Sequence, residues 1–212
     1  MPEVKICGNK RREDIEYAQG ADYLGFIINI SGSPRTLTVE QAKPLLKQAS
    51  GQAQTVAVVN TTDEDVLSGM CSALVPDYVQ IQVDAPPSTV LDIKEVLGVQ
   101  VIALVSAGDG ALERAKALAD VADMIIIDSV VDGRAGGTGK THDWSISRSV
   151  RDAIYPSELV LAGGLNCGNV QEAIRTVRPS VVDVASGVEV DGVKSKELVS
   201  TFISTAKGVP DD

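Results

Sequence analysis

Residues 124–128 read Met124-Ile125-Ile126-Ile127-Asp128, four apolar residues ending on an acid. Consecutive branched aliphatics suit a strand covered on both faces, which is the condition of a parallel sheet. A run of the same kind opens the chain, Val4-Lys5-Ile6-Cys7-Gly8, and ends on a thiol. Working outward, similar runs occupy residues 23–28, 55–60, 78–82, 101–106, 159–163 and 181–185. With 4–7 and 124–129 they make eight predicted strands, each short and most rich in Val and Ile.

Amphipathic stretches lie between these runs. Residues 38–49 open on a threonine cap and carry Val39, Ala42, Leu45 and Leu46 at helical spacing. Residues 62–74 open on Thr62-Asp63-Glu64-Asp65, negative charge that a helix start favours. Residues 111–121, 169–177 and 196–206 follow the same pattern, and Asp143 reads as the N-cap of a further helix. Strand follows strand at roughly twenty to thirty residues, the period of a (β/α)8 barrel. The expected architecture is one such barrel over residues 1–212, without linker or second domain. A doubly wound open sheet shares this periodicity. Eight units with no topological switch favour closure.

Composition narrows the function. The 44% hydrophobic fraction is ordinary, but aromatics are only 3%, so Val, Ile, Leu and Ala must build the core. A net charge of −10 excludes nucleic acid and anionic membranes as main partners. An anionic ligand must then be held by local devices, such as backbone N–H groups or a single arginine. The cysteines are Cys7, Cys71 and Cys167, an odd set at wide spacing and no disulfide framework. With one histidine, His142, and no CxxC pair, no histidine- or cysteine-rich metal site is expected. No signal-peptide pattern and no run of membrane-span length appears, so a cytoplasmic, soluble protein is expected.

In such barrels the chemistry sits at the C-terminal ends of the strands. Those ends include Cys7, Asn60, Gln80, Gln82, Ser106, Asp128, Gly163-Gly164 and Ser186-Gly187. Cys7 and Asp128 then face one mouth as a thiol base and a carboxylic acid. A free cysteine is most often a small buried hydrophobe; a catalytic one must be partly thiolate, with its pKa lowered. Asp128 caps its own loop or, at a dry mouth, serves as a general acid with a raised pKa. The ends of strands seven and eight, Gly163-Gly164 and Ser186-Gly187, are either tight turns or phosphate loops, and barrel phosphate sites recur at this pair of strands. Lys5 shares the face of Cys7 and is expected to pair with Asp183 beneath the site, unless it snorkels to water. Arg35, stiffened by Pro34, is a carboxylate clamp or a solvated surface residue. His142 reads as structural or solvent-facing, and Cys71 as core.

These residues together resemble the phosphoribosylanthranilate isomerase family of tryptophan biosynthesis. The resemblance rests on Val4-Lys5-Ile6-Cys7-Gly8, Ser33-Pro34-Arg35, Gly136-Gly137-Thr138-Gly139-Lys140-Thr141 with Asp143-Trp144, Leu161-Ala162-Gly163-Gly164-Leu165, and residues 183–189. It implies a (β/α)8 barrel that needs no cofactor or metal and performs an Amadori rearrangement of a phosphoribosyl-anthranilate. It implies Cys7 as general base and Asp128 as general acid. Arg35 would bind the anthranilate carboxylate, and Gly164, Ser186 and Gly187 the phosphate, with Gly163 beside them in the substrate site. Gln82 and Asp183 are assigned to the substrate pocket. The implied partner is the small-molecule substrate, and the expected assembly is a monomer or homodimer.

The chain departs from the family in three places. Gln82 stands where the family usually has histidine, so no proton can be exchanged there. Asn166-Cys167-Gly168-Asn169 replaces the usual Asn-Pro-Glu-Asn, which predicts a looser helix start. His142 replaces a phenylalanine. Two rivals carry less. The sugar-phosphate isomerase of histidine synthesis has aspartate where this chain has Cys7. A catalytically silent phosphosugar-binding barrel would have no use for both Cys7 and Asp128.

Overall fold

The computed structural model describes residues 1–131, 134–135 and 141–209. Strands and helices alternate as β1 (Glu3–Ile6), α1 (Arg12–Tyr17), β2 (Tyr23–Ile28), α2 (Val39–Ala49), β3 (Gln54–Val59), α3 (Glu64–Leu74), β4 (Tyr78–Ile81) and α4 (Pro87–Leu97). They continue as β5 (Gln100–Ala107), α5 (Ala111–Ala119), β6 (Met124–Val131), α6 (Trp144–Ile154), β7 (Glu158–Leu161), α7 (Val170–Val177), β8 (Val181–Val184) and α8 (Lys196–Lys207). Each strand pairs in parallel with its two sequence neighbours, and β1 pairs with both β2 and β8. The sheet therefore closes into a barrel, and the open-sheet alternative is excluded.

The two-residue alternation of a strand sorts its side chains into two layers. Ile125 and Ile127 point outward and join the large cluster beneath the helices. Met124 and Ile126 point inward, packing with Tyr23, Val56, Val58, Tyr78, Ile102, Leu104, Val160 and Cys7. This explains the all-apolar strands: a (β/α)8 barrel buries both faces. It also puts Asp128, two residues beyond Ile126, on the inner face at the top.

The bottom face is fastened by a repeated device. Asp22, Asp77 and Asp123, each just before an even-numbered strand, accept backbone N–H bonds from Val4, Thr55 and Val101 of the preceding strand at 2.7–2.8 Å. Helix starts follow the sequence reading. Thr38 and Gln41 form a reciprocal capping box on α2, and Asp63 and Asp143 cap α3 and α6. Helices α1 and α4 were not anticipated. The first has six residues, too few for a legible period, and the second starts at Pro86-Pro87.

Short elements decorate the top. Thr36–Leu37 extends the sheet beside β2. A turn of 3₁₀ helix, Ser186–Val188, follows β8 and leads into a tight antiparallel hairpin that pairs Glu189 with Lys194. Strand β6 runs past its expected end at residue 129 and pairs with Arg134–Ala135. Gly136–Lys140 of the glycine-rich motif lies outside the described residues.

Candidate active site

The top of the barrel opens into a cavity of about 960 Å³. Its wall includes Cys7, Arg35, Gln80, Gln82, Asp128, Gly163, Gly164, Asp183 and Ser186. The sequence-predicted residues are thus gathered at one mouth, with Gly187 one position behind Ser186.

Cys7 follows β1, and its N–H bonds the Val184 carbonyl at 2.8 Å. Its sulfur rests against the backbone of Gly25 in β2, where a Cβ would stand 2.8 Å from Sγ; only glycine leaves that seat. One layer below, Lys5 and Asp183 are register partners across β1 and β8. Lys5 Nζ lies 3.1 Å from Asp183 Oδ2, and both side chains are buried. Lys5 does not snorkel. Burial works against its ammonium, but Asp183 and Cys7 outweigh it and hold the group above the ordinary lysine value. A catalytic thiolate calls for a lowered thiol pKa. Here burial pushes the Cys7 thiol up, with Lys5 and Lys194 drawing it down and Asp183 adding to the rise.

Asp128 is buried on the inner face of β6. Burial and the negative charge of Asp183 raise its carboxyl to about 7, against the Ser129 backbone N–H and Gln82. Gln82 Nε2 donates to Asp128 Oδ2 at 3.2 Å, and Gln80 Nε2 donates to Gln82 Oε1 at 2.6 Å. Gln80 therefore fixes which way the Gln82 amide points. Asp128 Oδ1 is buried and accepts no hydrogen bond among the described residues.

Gly163 and Gly164 follow β7, and Ser186-Gly187 form the 3₁₀ turn after β8. A Cβ on Gly187 would meet the Leu165 carbonyl oxygen at 1.9 Å, so the two loops touch backbone to backbone and require glycine there. The loop before α7 is tied, although no side-chain bond caps the helix at Asn169. Asn166 N–H donates to Asn169 Oδ1 at 2.8 Å, and Asn169 Nδ2 donates to the Gly164 carbonyl at 3.0 Å. The side chain of Asn169, one of the two asparagines that the chain shares with the family pattern, thus ties this loop although Cys167-Gly168 stand in place of Pro-Glu.

Arg35 reaches the mouth but already has a partner. Its Nε and Nη2 donate to Glu189 Oε1 and Oε2 at 2.8 and 2.6 Å. Lys194 Nζ donates to the same Oε1 at 2.7 Å and to the Ala185 carbonyl at 2.9 Å. Sequence reasoning assigned no role to Glu189 or Lys194. No local pattern marks them, because Arg35 and Glu189 stand 154 residues apart. His142 is structural: Nδ1 lies 2.9 Å from Ser129 Oγ and Nε2 2.5 Å from Ser147 Oγ. Cys71 and Cys167 pack against the outer core, with Cys167 Sγ 3.4 Å from the Leu198 carbonyl.

A closed ring of eight parallel strands with its polar residues and glycine turns at the C-terminal mouth defines the class, a (β/α)8-barrel enzyme. The sequence pattern of the N-(5'-phosphoribosyl)anthranilate (PRA) isomerase family matches residues 4–205, and the chain belongs to that family. The N-(5'-phosphoribosyl)anthranilate isomerase of Haloferax volcanii is 39% identical, over 100% of this chain and 97% of the relative. The crystal structure of the Thermotoga maritima phosphoribosyl anthranilate isomerase superposes with a TM-score of 0.86 at 33% identity, covering 98% of this chain and all of that one. A phosphoribosyl anthranilate isomerase solved in complex with reduced 1-(o-carboxyphenylamino)-1-deoxyribulose 5-phosphate gives 0.83 at 31% identity, with coverage of 98% and 100%.

Proposed function

We propose that this barrel converts N-(5-phosphoribosyl)anthranilate to 1-(2-carboxyphenylamino)-1-deoxyribulose 5-phosphate, with Asp128 as general acid and Cys7 as general base. One observation carries the assignment of roles. Thiol and carboxyl open onto the same cavity, and the carboxyl is still half protonated at about pH 7. An acid poised near neutrality can donate a proton and survive to be recharged.

The reaction begins at the ring oxygen. Asp128 gives it a proton, the C1–O bond breaks, and the anthranilate nitrogen lone pair closes a Schiff base. Gln82 occupies Oδ2, which directs the proton to Oδ1 on the unbonded side. The Cys7 thiolate then removes the C2 proton, whose electrons flow to the iminium nitrogen and leave an enolamine. Tautomerisation of the enolamine gives the ketose.

The substrate carries a phosphate and a carboxylate, while the protein carries −10. Local devices must therefore hold both anions. Gly163, Gly164, Ser186 and Gly187 offer backbone N–H groups to the phosphate. The Glu189 contact uses Nε and one Nη2 hydrogen of Arg35; guanidinium has five donors, so Nη1 serves the anthranilate carboxylate. Asp183 shapes the pocket by anchoring Lys5 beneath it. The residue that replaces the family histidine, Gln82, orients the acid and exchanges no proton. The relative solved with a reduced product-like ligand supports an occupant of this chemistry.

The enzyme is proposed to work in the cytoplasm as a monomer or homodimer. The test is direct. Purified protein mixed with freshly formed phosphoribosylanthranilate is expected to abolish the substrate's fluorescence and yield the aminodeoxyketose. Fluorescence decay no faster than in buffer would refute it.

A further inference from the structure

The charges at the mouth do not balance. Lys5 faces Asp183, and Arg35 faces Glu189. Lys194 shares the carboxylate already held by Arg35, with its ammonium as buried as that of Lys5. Among the described residues around Cys7, three cations thus meet two ionised carboxylates, and Asp128 is half protonated near neutrality. The surplus positive charge sits on the hairpin after β8. Lys194 Nζ grips the Ala185 carbonyl, while the Cys7 N–H bonds the carbonyl of the adjacent Val184.

We propose that Lys194 is a positioning residue for the reaction, the buried cation that favours the Cys7 thiolate, and that Glu189 sets how much of its charge the thiol feels. The inference rests on the reading of Cys7 as the base. Burial of an isolated thiol disfavours the anion, so a buried base needs a dedicated positive neighbour. Lys5 cannot fill that role alone, since Asp183 lies 3.1 Å from it and opposes it at the sulfur. Lys194 shares its carboxylate: Glu189 Oε1 accepts from Lys194 Nζ at 2.7 Å and from Arg35 Nε at 2.8 Å, so one negative charge is divided between two cations. Among the described residues, Lys5, Asp183, Arg35, Glu189, Lys194 and, at the same cavity, Asp128 are the charged groups that bear on this thiol.

The test reads the thiol and not turnover. Iodoacetamide modification of the full-length protein is followed against pH by the mass of the peptide containing Cys7, which keeps Cys71 and Cys167 out of the signal. Lys194→Met is expected to raise the midpoint of the rate profile by about one pH unit. Glu189→Gln is expected to lower it, because the cation loses its counter-charge. A purely structural role would move both variants the same way or neither, and either result overturns the proposal. Should Lys194→Met fail to fold, Glu189→Gln decides alone: a lower midpoint supports the assignment, and an unchanged or higher one overturns it. Lys194→Arg, which keeps the charge, is expected to hold the native midpoint. Native protein that alkylates as described yet leaves phosphoribosylanthranilate intact would refute the proposed function and not this inference.

Discussion

Lys5 and Asp183 stand side by side on β1 and β8, the two strands that close the ring, with Nζ 3.1 Å from Oδ2 and both side chains shut away from solvent. A buried charge without its partner is costly, whereas an apolar replacement of the whole pair is often neutral. Lys5→Met is expected to lower the unfolding free energy by about 3–5 kcal/mol. Adding Asp183→Leu to it should recover a large part. Urea denaturation of the single and double variants measures both; a single variant as stable as the native protein would contradict the pairing.

Asp128 links pH to stability. Its folded pKa of about 7 lies above the ordinary 3.8, so between these values the folded form keeps a proton that the unfolded form has lost. Its contribution is therefore fully favourable below about pH 4 and declines as pH rises toward 7. Asp128→Asn does not titrate. Its stability relative to the native protein should climb across that window, as read by denaturation at a series of pH values. Parallel curves would show that Asp128 is not perturbed.

His142 joins Ser129, the neighbour of the acid, to Ser147 on α6. Burial lowers the imidazole pKa, so the ring is neutral at working pH, with one nitrogen donating and the other accepting. His142→Phe restores the residue usual in the family but leaves two buried hydroxyls without this partner. It is expected to cost about 1–3 kcal/mol of stability by thermal or chemical unfolding. A gain in stability would mean that the serine bonds contribute nothing.

Gly187 is where the phosphate loop meets the loop after β7. Gly187→Ala must push Ser186 or Leu165 aside, because its Cβ would fall 1.9 Å from a carbonyl oxygen. Overpacking of this kind costs about 1–3 kcal/mol, so KM should rise by about tenfold with a smaller change in kcat. An unchanged KM would remove the loop from the phosphate site.

The strand ends were legible because each apolar run stops at a polar or glycine residue. The limits of β2, Tyr23–Ile28, match the run bounded by Asp22 and Asn29. The Lys5–Asp183 pair was legible too, since two residues of spacing put Lys5 under Cys7 and adjacent strands did the rest. The Glu189–Arg35 fork was not: strand periodicity does not extend into loops, and nothing local marks two residues 154 positions apart as partners. The role of Gln80 was hidden similarly, for it acts only through the amide of Gln82. Two departures from the family pattern read as losses: His142 has hydrogen bonds to two serines, and the turn that holds Cys167-Gly168 stays tied by its flanking asparagines.

The most direct test is phosphoribosylanthranilate turnover by Cys7→Ala and Asp128→Ala. A base and an acid acting on one substrate across the mouth predict that each variant, with native circular dichroism, loses at least ~10²-fold in kcat. Turnover within a few-fold of the native rate in either variant would contradict the account.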